Sequence, residues 1–167
     1  VKILEDIGVK ARSYVCDVSS EENVIATLAS TVNDFGRLDG LFANAGRAGT
    51  GTPFVETSLE SWRKVTAVNL DGVFLCLREA AKQIISQGSG GSLVAVSSTS
   101  AIHGAAGNEA YGTAKTAITG LVRALAVSLA RFQIRVNCLL PGWTVTELAS
   151  PAFENEYFRE VTTKRTP

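Results

Sequence analysis

Residues 92–115 read SLVAVSSTSAIHGAAGNEAYGTAK, and the architecture follows from this stretch. Ser92 to Ser97 is continuously apolar inside, the pattern of a strand covered on both faces. A loop punctuated by Gly104 and Gly107 follows. The period then changes. Tyr111, Ala114, Ile118, Leu121, Leu125 and Leu129 recur at helical spacing and predict one apolar stripe on a helix over 109–132. Residues 134–140 return to strand, and Pro141-Gly142 stops them.

Toward the amino terminus the alternation repeats. Residues 38–43 read as a strand, followed by a Gly/Thr-rich loop from Asn44 to Pro53. Its Gly46-x-x-Gly49-x-Gly51 spacing has the wrong order for a dinucleotide fingerprint and reads as loop. Thr57 and Glu60 form a capping box that opens a long helix, 58–86. Gly72 lies inside it at a cost of about 1 kcal/mol relative to Ala, which points to a bend or close packing there. Gly88 to Gly91 is a turn. Residues 11–16 read as a further strand, and Ser19 with Glu22 caps a helix whose face is Val24, Leu28, Val32 and Phe35 and whose end is Gly36. A short helix is expected at 154–162.

Strand and helix alternating at this spacing give βαβ units and one α/β domain over residues 1–167, a doubly wound parallel sheet with helices on both faces. Such sheets bind ligands beyond the carboxyl ends of their strands. Those ends are Asp17-Val18, Asn44-Ala45-Gly46, Ser97-Ser98 and Pro141-Gly142, and the helix of Tyr111 starts on the same edge.

Tyr111 and Lys115 stand four apart, about one helical turn, so phenol and ammonium share a face. A cation beside a phenol favours phenolate and lowers a pKa that is about 10 in free tyrosine. A phenol moved toward neutrality can exchange a proton with a substrate oxygen. Ser98 lies thirteen residues before Tyr111, and its hydroxyl could bind the same oxygen.

Composition removes other classes. Sixteen basic residues offset sixteen acidic ones, so no electrostatic footprint points to nucleic acid or an anionic membrane. No run of about 18 apolar residues suggests a membrane span, and the first residues do not resemble a signal peptide. Cys16, Cys76 and Cys138 are odd in number and far apart, and read as buried free thiols of a cytosolic protein. With His103 the single histidine and no CxxC, a metal site is not expected. A Rossmann-like hydrolase lacks its Gly-x-Ser-x-Gly elbow.

In this order and spacing, Asp17-Val18, Asn44-Ala45-Gly46, Val68-Asn69-Leu70, Ser98, Tyr111 to Lys115, and Pro141-Gly142 with Thr144 and Thr146 resemble the classical short-chain dehydrogenase/reductase family over nearly the whole chain. The resemblance implies a Rossmann-type domain that uses NAD or NADP to interconvert a secondary alcohol and a ketone. By that likeness Tyr111 is the general acid/base, Lys115 lowers its pKa and bonds the nicotinamide ribose, and Ser98 rather than Ser97 holds the substrate oxygen. Asn69 holds a water that relays protons from Lys115, unless it is a helix-interior Asn that bonds a neighbouring carbonyl. Asn44, Ala45 and Gly46 line the adenosine side, with Ala43 in place of a second family asparagine. Asp17 and Val18 hold adenine, unless Asp17 is an ordinary turn residue. Pro141 and Gly142 turn under the nicotinamide, and Thr144 and Thr146 reach the carboxamide and pyrophosphate.

The glycine-rich first βαβ unit of that family is missing from the chain, as is its carboxyl end, so the expected sheet has open edges. The resemblance also implies a homo-oligomer, a dimer or tetramer through helices 58–86 and 109–132, while the cysteines and the composition point to a cytoplasmic protein with no nucleic acid or membrane partner. A 3-oxoacyl group, a sugar, a steroid or a small ketone would each suit the loops. The competing reading is a non-catalytic fragment that serves as an association module.

Overall fold

The computed structural model describes residues 1–49, 51–146 and 149–165. In chain order they form α1 (Lys2–Asp6), α2 (Glu21–Phe35), β1 (Gly40–Ala43), α3 (Leu59–Thr66), a π-helical segment (Ala67–Asp71), α4 (Gly72–Gln87), β2 (Gly91–Val96), α5 (Ser100–His103), α6 (Glu109–Leu129), β3 (Ile134–Leu139), α7 (Ser150–Phe153) and α8 (Glu156–Arg165). The sheet is parallel in the order β1-β2-β3. Its register sets Leu41 beside Leu93 and Leu93 beside Val136.

Those residues point to one face. Helix α4 packs on β1 and β2 there, and α6 on β2 and β3. Leu77, Ile84, Leu93, Ile118 and Ile134 are almost wholly buried between the layers. Truncating one of them to Ala costs about 2–5 kcal/mol. Parallel strands take right-handed connections, so strands added in one direction put both crossover helices on one side. The other face carries Phe42 and Leu139, both about half exposed, and no helix of the described residues covers it. The described residues thus hold one helical layer of the Rossmann-type sheet.

Several local expectations shift, for identifiable reasons. Residues 11–16 form no strand, because no described strand lies beside them; Ala11 is buried, Val15 is fully exposed, and Tyr14 donates to the Asp34 carboxylate of α2 at 2.6 Å. Ser20, not Ser19, caps α2, accepting from Asn23 N at 3.3 Å. Ser19 is taken by Asp17, whose Oδ1 accepts from its N and its hydroxyl. Ser58, not Thr57, caps α3 and accepts from Ser61 N. Thr57 instead donates to Pro53 O, and Glu60 pairs with Lys64.

The long helix is one chain segment but is interrupted by the π-helical turn at 67–71. Gly72 follows at once. A Cβ on it would stand 2.8 Å from Val18 Cγ2 and 3.1 Å from Val18 O, so the close approach expected at this glycine is present. Gly36 ends α2 in the left-handed region at φ 80°, as expected. The tail helix runs 156–165, later than expected. Helix α6, with its short extension to Phe132, is the one described helix long and apolar enough for a membrane span. Ala114, Ile118, Val122 and Leu129 bury one stripe of it against the sheet.

Candidate active site

The loops after β1, β2 and β3 open on the carboxyl edge of the sheet, and α6 begins there. Lys115 is the centre of the arrangement. It sits one position after the fully buried Ala114 and is itself only 3% exposed. Its Nζ donates to Val96 O, the last carbonyl of β2, at 2.8 Å. Ser97, the next residue, is equally buried and donates its hydroxyl to Lys115 O at 2.6 Å. The end of β2 thus holds Lys115 by its ammonium and by its main chain.

The ammonium lies 5.4 Å from the centre of the half-buried Tyr111 ring, within cation–π range. The Tyr/Lys pair read from the spacing is therefore a contact. Burial pushes the Lys115 ammonium down from its ordinary pKa, and the neighbouring Cys138 thiol acts in the opposite sense. Cys138 is itself pushed up by burial, with Ser97 and Lys115 opposing.

Asn69 is fully buried in the π-helical turn. Its Nδ2 donates to Val65 O at 3.0 Å and to Arg47 O at 2.8 Å, and its Oδ1 accepts from Arg47 N at 3.2 Å. The amide makes the local helix bond that a helix-interior Asn takes, and also grips the loop after β1. Gly46 lies between these groups: a Cβ on it would stand 2.9 Å from Asn69 Oδ1 and 3.6 Å from Lys115 Nζ. Gly46, Asn69 and Lys115, far apart in sequence, are contiguous in space.

Ser98 and Tyr111 stand at the two ends of the loop that contains α5. Helix α5 packs on α6, and Thr116 Oγ1 donates to Ala101 O at 3.3 Å. Ser98 Oγ accepts from Ser100 N at 3.1 Å, and no hydrogen bond joins it to Tyr111 among the described residues. The loop after β3 is tied to the same place, because Thr99 N donates to Pro141 O at 3.0 Å and Gly142 faces the Thr99 methyl.

The outer members of the set are more loosely placed. Asn44, Ala45, Gly46, Pro141, Gly142, Thr144 and Thr146 are all exposed. Thr146 Oγ1 donates to Thr144 O at 3.5 Å and touches neither Tyr111 nor Lys115 among the contacts described. Asp17 is exposed, and the Ser19 hydroxyl and N–H hold its carboxyl below the usual range. Asp17 therefore acts as a turn residue, accepting through Oδ1. Val18 is half-buried against Gly72. Exposed backbone and small side chains run across the three strand ends, with the buried Lys115 ammonium among them.

Two residues of this neighbourhood have structural parts that the sequence pattern does not name. Ser97, which the family spacing passes over for Ser98, pins Lys115. The signal was available: Leu93, Ala95 and Ser97 alternate inward, and an inward hydroxyl must find an acceptor. Asn108, three residues before Tyr111, accepts from Gly49 N at 2.8 Å. Nothing in the sequence pairs 49 with 108.

The whole chain, residues 1–167, matches the family described as enoyl-(acyl carrier protein) reductase. It is 38% identical over 149 residues to 2,5-dichloro-2,5-cyclohexadiene-1,4-diol dehydrogenase of Sphingobium indicum, covering 89% of this chain and 60% of that protein. The NAD+-bound crystal structure of xylitol dehydrogenase superposes with a TM-score of 0.80 at 41% identity, covering 84% of this chain and 54% of that one. NADPH-dependent 3-quinuclidinone reductase from Rhodotorula rubra gives 0.88 at 32% identity over 99% of this chain and 61% of that one. The chain thus spans less than two thirds of the length of each of these relatives. The site order, the Rossmann-type neighbours and the family match agree, and the chain belongs to the short-chain dehydrogenase/reductase family.

Proposed function

We propose that the protein is an oxidoreductase that moves a hydride between NAD or NADP and a secondary alcohol or ketone, with Tyr111 as general acid/base. The observation that carries this reading is the buried Lys115 ammonium against the Tyr111 ring, held from β2 at two points. Support comes from the relatives, which are named as dehydrogenases and reductases of diols, sugars alcohols and ketones, and whose names cite both NAD+ and NADPH.

The nicotinamide, when bound, supplies the hydride chemistry. The chain supplies position and protons. Asn44, Ala45, Gly46, Asp17 and Val18 form the adenosine side, and Pro141, Gly142, Thr144 and Thr146 the nicotinamide side. Ser98 Oγ holds the substrate oxygen, and the Tyr111 hydroxyl gives it a proton on reduction or takes one on oxidation. An ammonium has three donors. Val96 O takes one at Lys115, which leaves two for ribose hydroxyls and for a water at the Asn69 turn that passes the proton on. Low local polarity around a buried ammonium strengthens its hold on a developing phenolate.

The substrate class fits a 3-oxoacyl, sugar or small cyclic alcohol, since the loop 99–108 offers Ala101, Ile102, Ala105 and Ala106 with one polar His103. We extend the reading to a homo-oligomer through α4 and α6, whose outer faces remain exposed at Phe74 and Val127. The test is Tyr111→Phe in the full-length protein. Positioned acid–base catalysis is worth about 10²–10⁴ in rate, so turnover of any alcohol or ketone it accepts should fall by that order. Unaltered turnover would remove the proposal.

A further inference from the structure

We infer that Asn108 is a positioning residue, whose amide ties the loop carrying Gly46 to the first turn of the helix carrying Tyr111. The inference rests on the oxidoreductase reading for its kinetic consequence, though not for the contact itself. Asn108 occupies the N-cap position of α6, where an Asn ordinarily accepts from the backbone of its own helix. It makes no such bond here, and its backbone sits at φ −143° and ψ 37°. Its side chain crosses instead to Gly49 N, 2.8 Å away and 59 residues earlier. A backbone N–H can meet only an acceptor, so the oxygen of the amide is fixed toward Gly49.

Gly49 is shaped for this contact. A Cβ there would fall 2.1 Å from Asn108 Oδ1 and 3.1 Å from its Cγ. The neighbouring residues repeat the approach, since a Cβ on Gly107 would lie 3.5 Å from Gly51 O. The segment 46–49 is therefore held at both ends by asparagines: Arg47 by Asn69 from the π-helical turn and Gly49 by Asn108 from the start of α6. Asn69 fixes the loop relative to Lys115, and Asn108 fixes it relative to Tyr111. Together they set how the strand end that receives the dinucleotide faces the reacting phenol. A cap bond to its own helix would stabilise α6 alone; the bond to Gly49 couples two walls of the site.

The test uses the full-length protein with Asn108→Ala, Asn108→Asp, Gly49→Ala and the Asn108→Ala/Gly49→Ala pair, beside Tyr111→Phe as a control. Readouts are hydrogen exchange at the Gly49 amide, dissociation constants for NAD and NADP, and steady-state kinetics. Asn108→Ala should expose the Gly49 amide and raise the cofactor dissociation constant and KM about two- to tenfold, the loss one neutral hydrogen bond allows, with kcat changing less. Asn108→Asp keeps the accepting oxygen and should restore both. Gly49→Ala should resemble Asn108→Ala, and the pair should be no worse than either single change, because removing the amide removes the collision. The inference is overturned if the Gly49 amide stays protected in Asn108→Ala, if cofactor affinity is unchanged while only thermal stability falls, or if the two changes add. An inactive Tyr111→Phe with unaffected Asn108 variants defeats this inference and leaves the oxidoreductase reading standing. A fully active Tyr111→Phe defeats that reading, and the Gly49 amide still decides the contact.

Discussion

Gly46→Ala should break the bracing of the site from inside. The added methyl would stand 2.9 Å from Asn69 Oδ1, whereas carbon and oxygen usually approach no closer than about 3.3–3.6 Å. Roughly half an ångström must be found. The φ of Gly46 lies outside the left-handed region, so the backbone admits Ala and the collision is the whole problem. Lys115 Nζ, at 3.6 Å, is in ordinary contact and need not move. Asn69 must, and its amide is one rigid plane bonded to Arg47 N, Arg47 O and Val65 O. Tilting it weakens one or two of these bonds, at about 0.5–1.5 kcal/mol each. Reduced freedom of the unfolded chain returns about 0.4–1 kcal/mol. The net expectation is a loss of about 1 kcal/mol, read as a lower urea midpoint at unchanged slope, together with weaker binding of the nicotinamide cofactor. In an Asn69→Ala background the obstacle is gone, and the same change should be neutral or slightly stabilising. Equal cost in both backgrounds would refute the reasoning.

Other outcomes follow from the same contacts. Gly72→Ala sets a gain of about 1 kcal/mol in helix propensity against overpacking of about 1–3 kcal/mol. A carbonyl, Val18 O, cannot rotate away, so urea melts should show a net loss, partly recovered by Val18→Ala. Lys115→Met should abolish turnover. Because burial depresses the folded pKa of Lys115, the unfolded chain binds more protons, and stability contributed by this residue rises with pH. The wild type should therefore compare worst with Lys115→Met below the folded pKa and improve as pH climbs toward 10.5, checked by urea melts at neutral and alkaline pH. Cys76, whose thiol burial raises from 9.0 to about 11, should alkylate about a hundredfold more slowly at pH 8 than a free thiol of ordinary pKa. Rapid modification of Cys76 in the folded protein would contradict that burial.

The strands and helices that were legible in the sequence are those whose pattern reports their own packing. The apolar run of β2, the stripe of α6 and the stop at Pro141-Gly142 each carry the signal within a few residues of themselves. What failed depended on a neighbour. Residues 11–16 have strand composition, but a strand is a pairing, and none is available to them among the described residues. Ser19 and Ser20 are equivalent as candidate caps until Asp17 claims the first. Gly72 signalled a close approach without naming Val18, because a glycine records the space it lacks and not what fills it.

The candidate site divides along the same line. Tyr111 and Lys115 were readable because one helical turn puts them together whatever the tertiary fold. Their second layer was not, since Ser97 to Lys115, Arg47 to Asn69 and Gly49 to Asn108 join segments 18, 22 and 59 residues apart. These bonds are where the chemistry gains its geometry. A Tyr-x-x-x-Lys helix on the surface would carry a solvated ammonium with little hold on a phenolate. Burying that ammonium under β2 costs solvation, which is why its pKa falls. That cost is tolerable only because Val96 O accepts from Nζ while Ser97 fixes the main chain. The same argument locates the vulnerable point. Ser97→Ala removes no group that would touch substrate, yet it should leave Lys115 O one donor short and let the ammonium drift from the ring. Turnover should then fall by about tenfold while Ser97→Thr, which keeps the hydroxyl, retains it. Full activity in Ser97→Ala would show that the helix alone positions the pair.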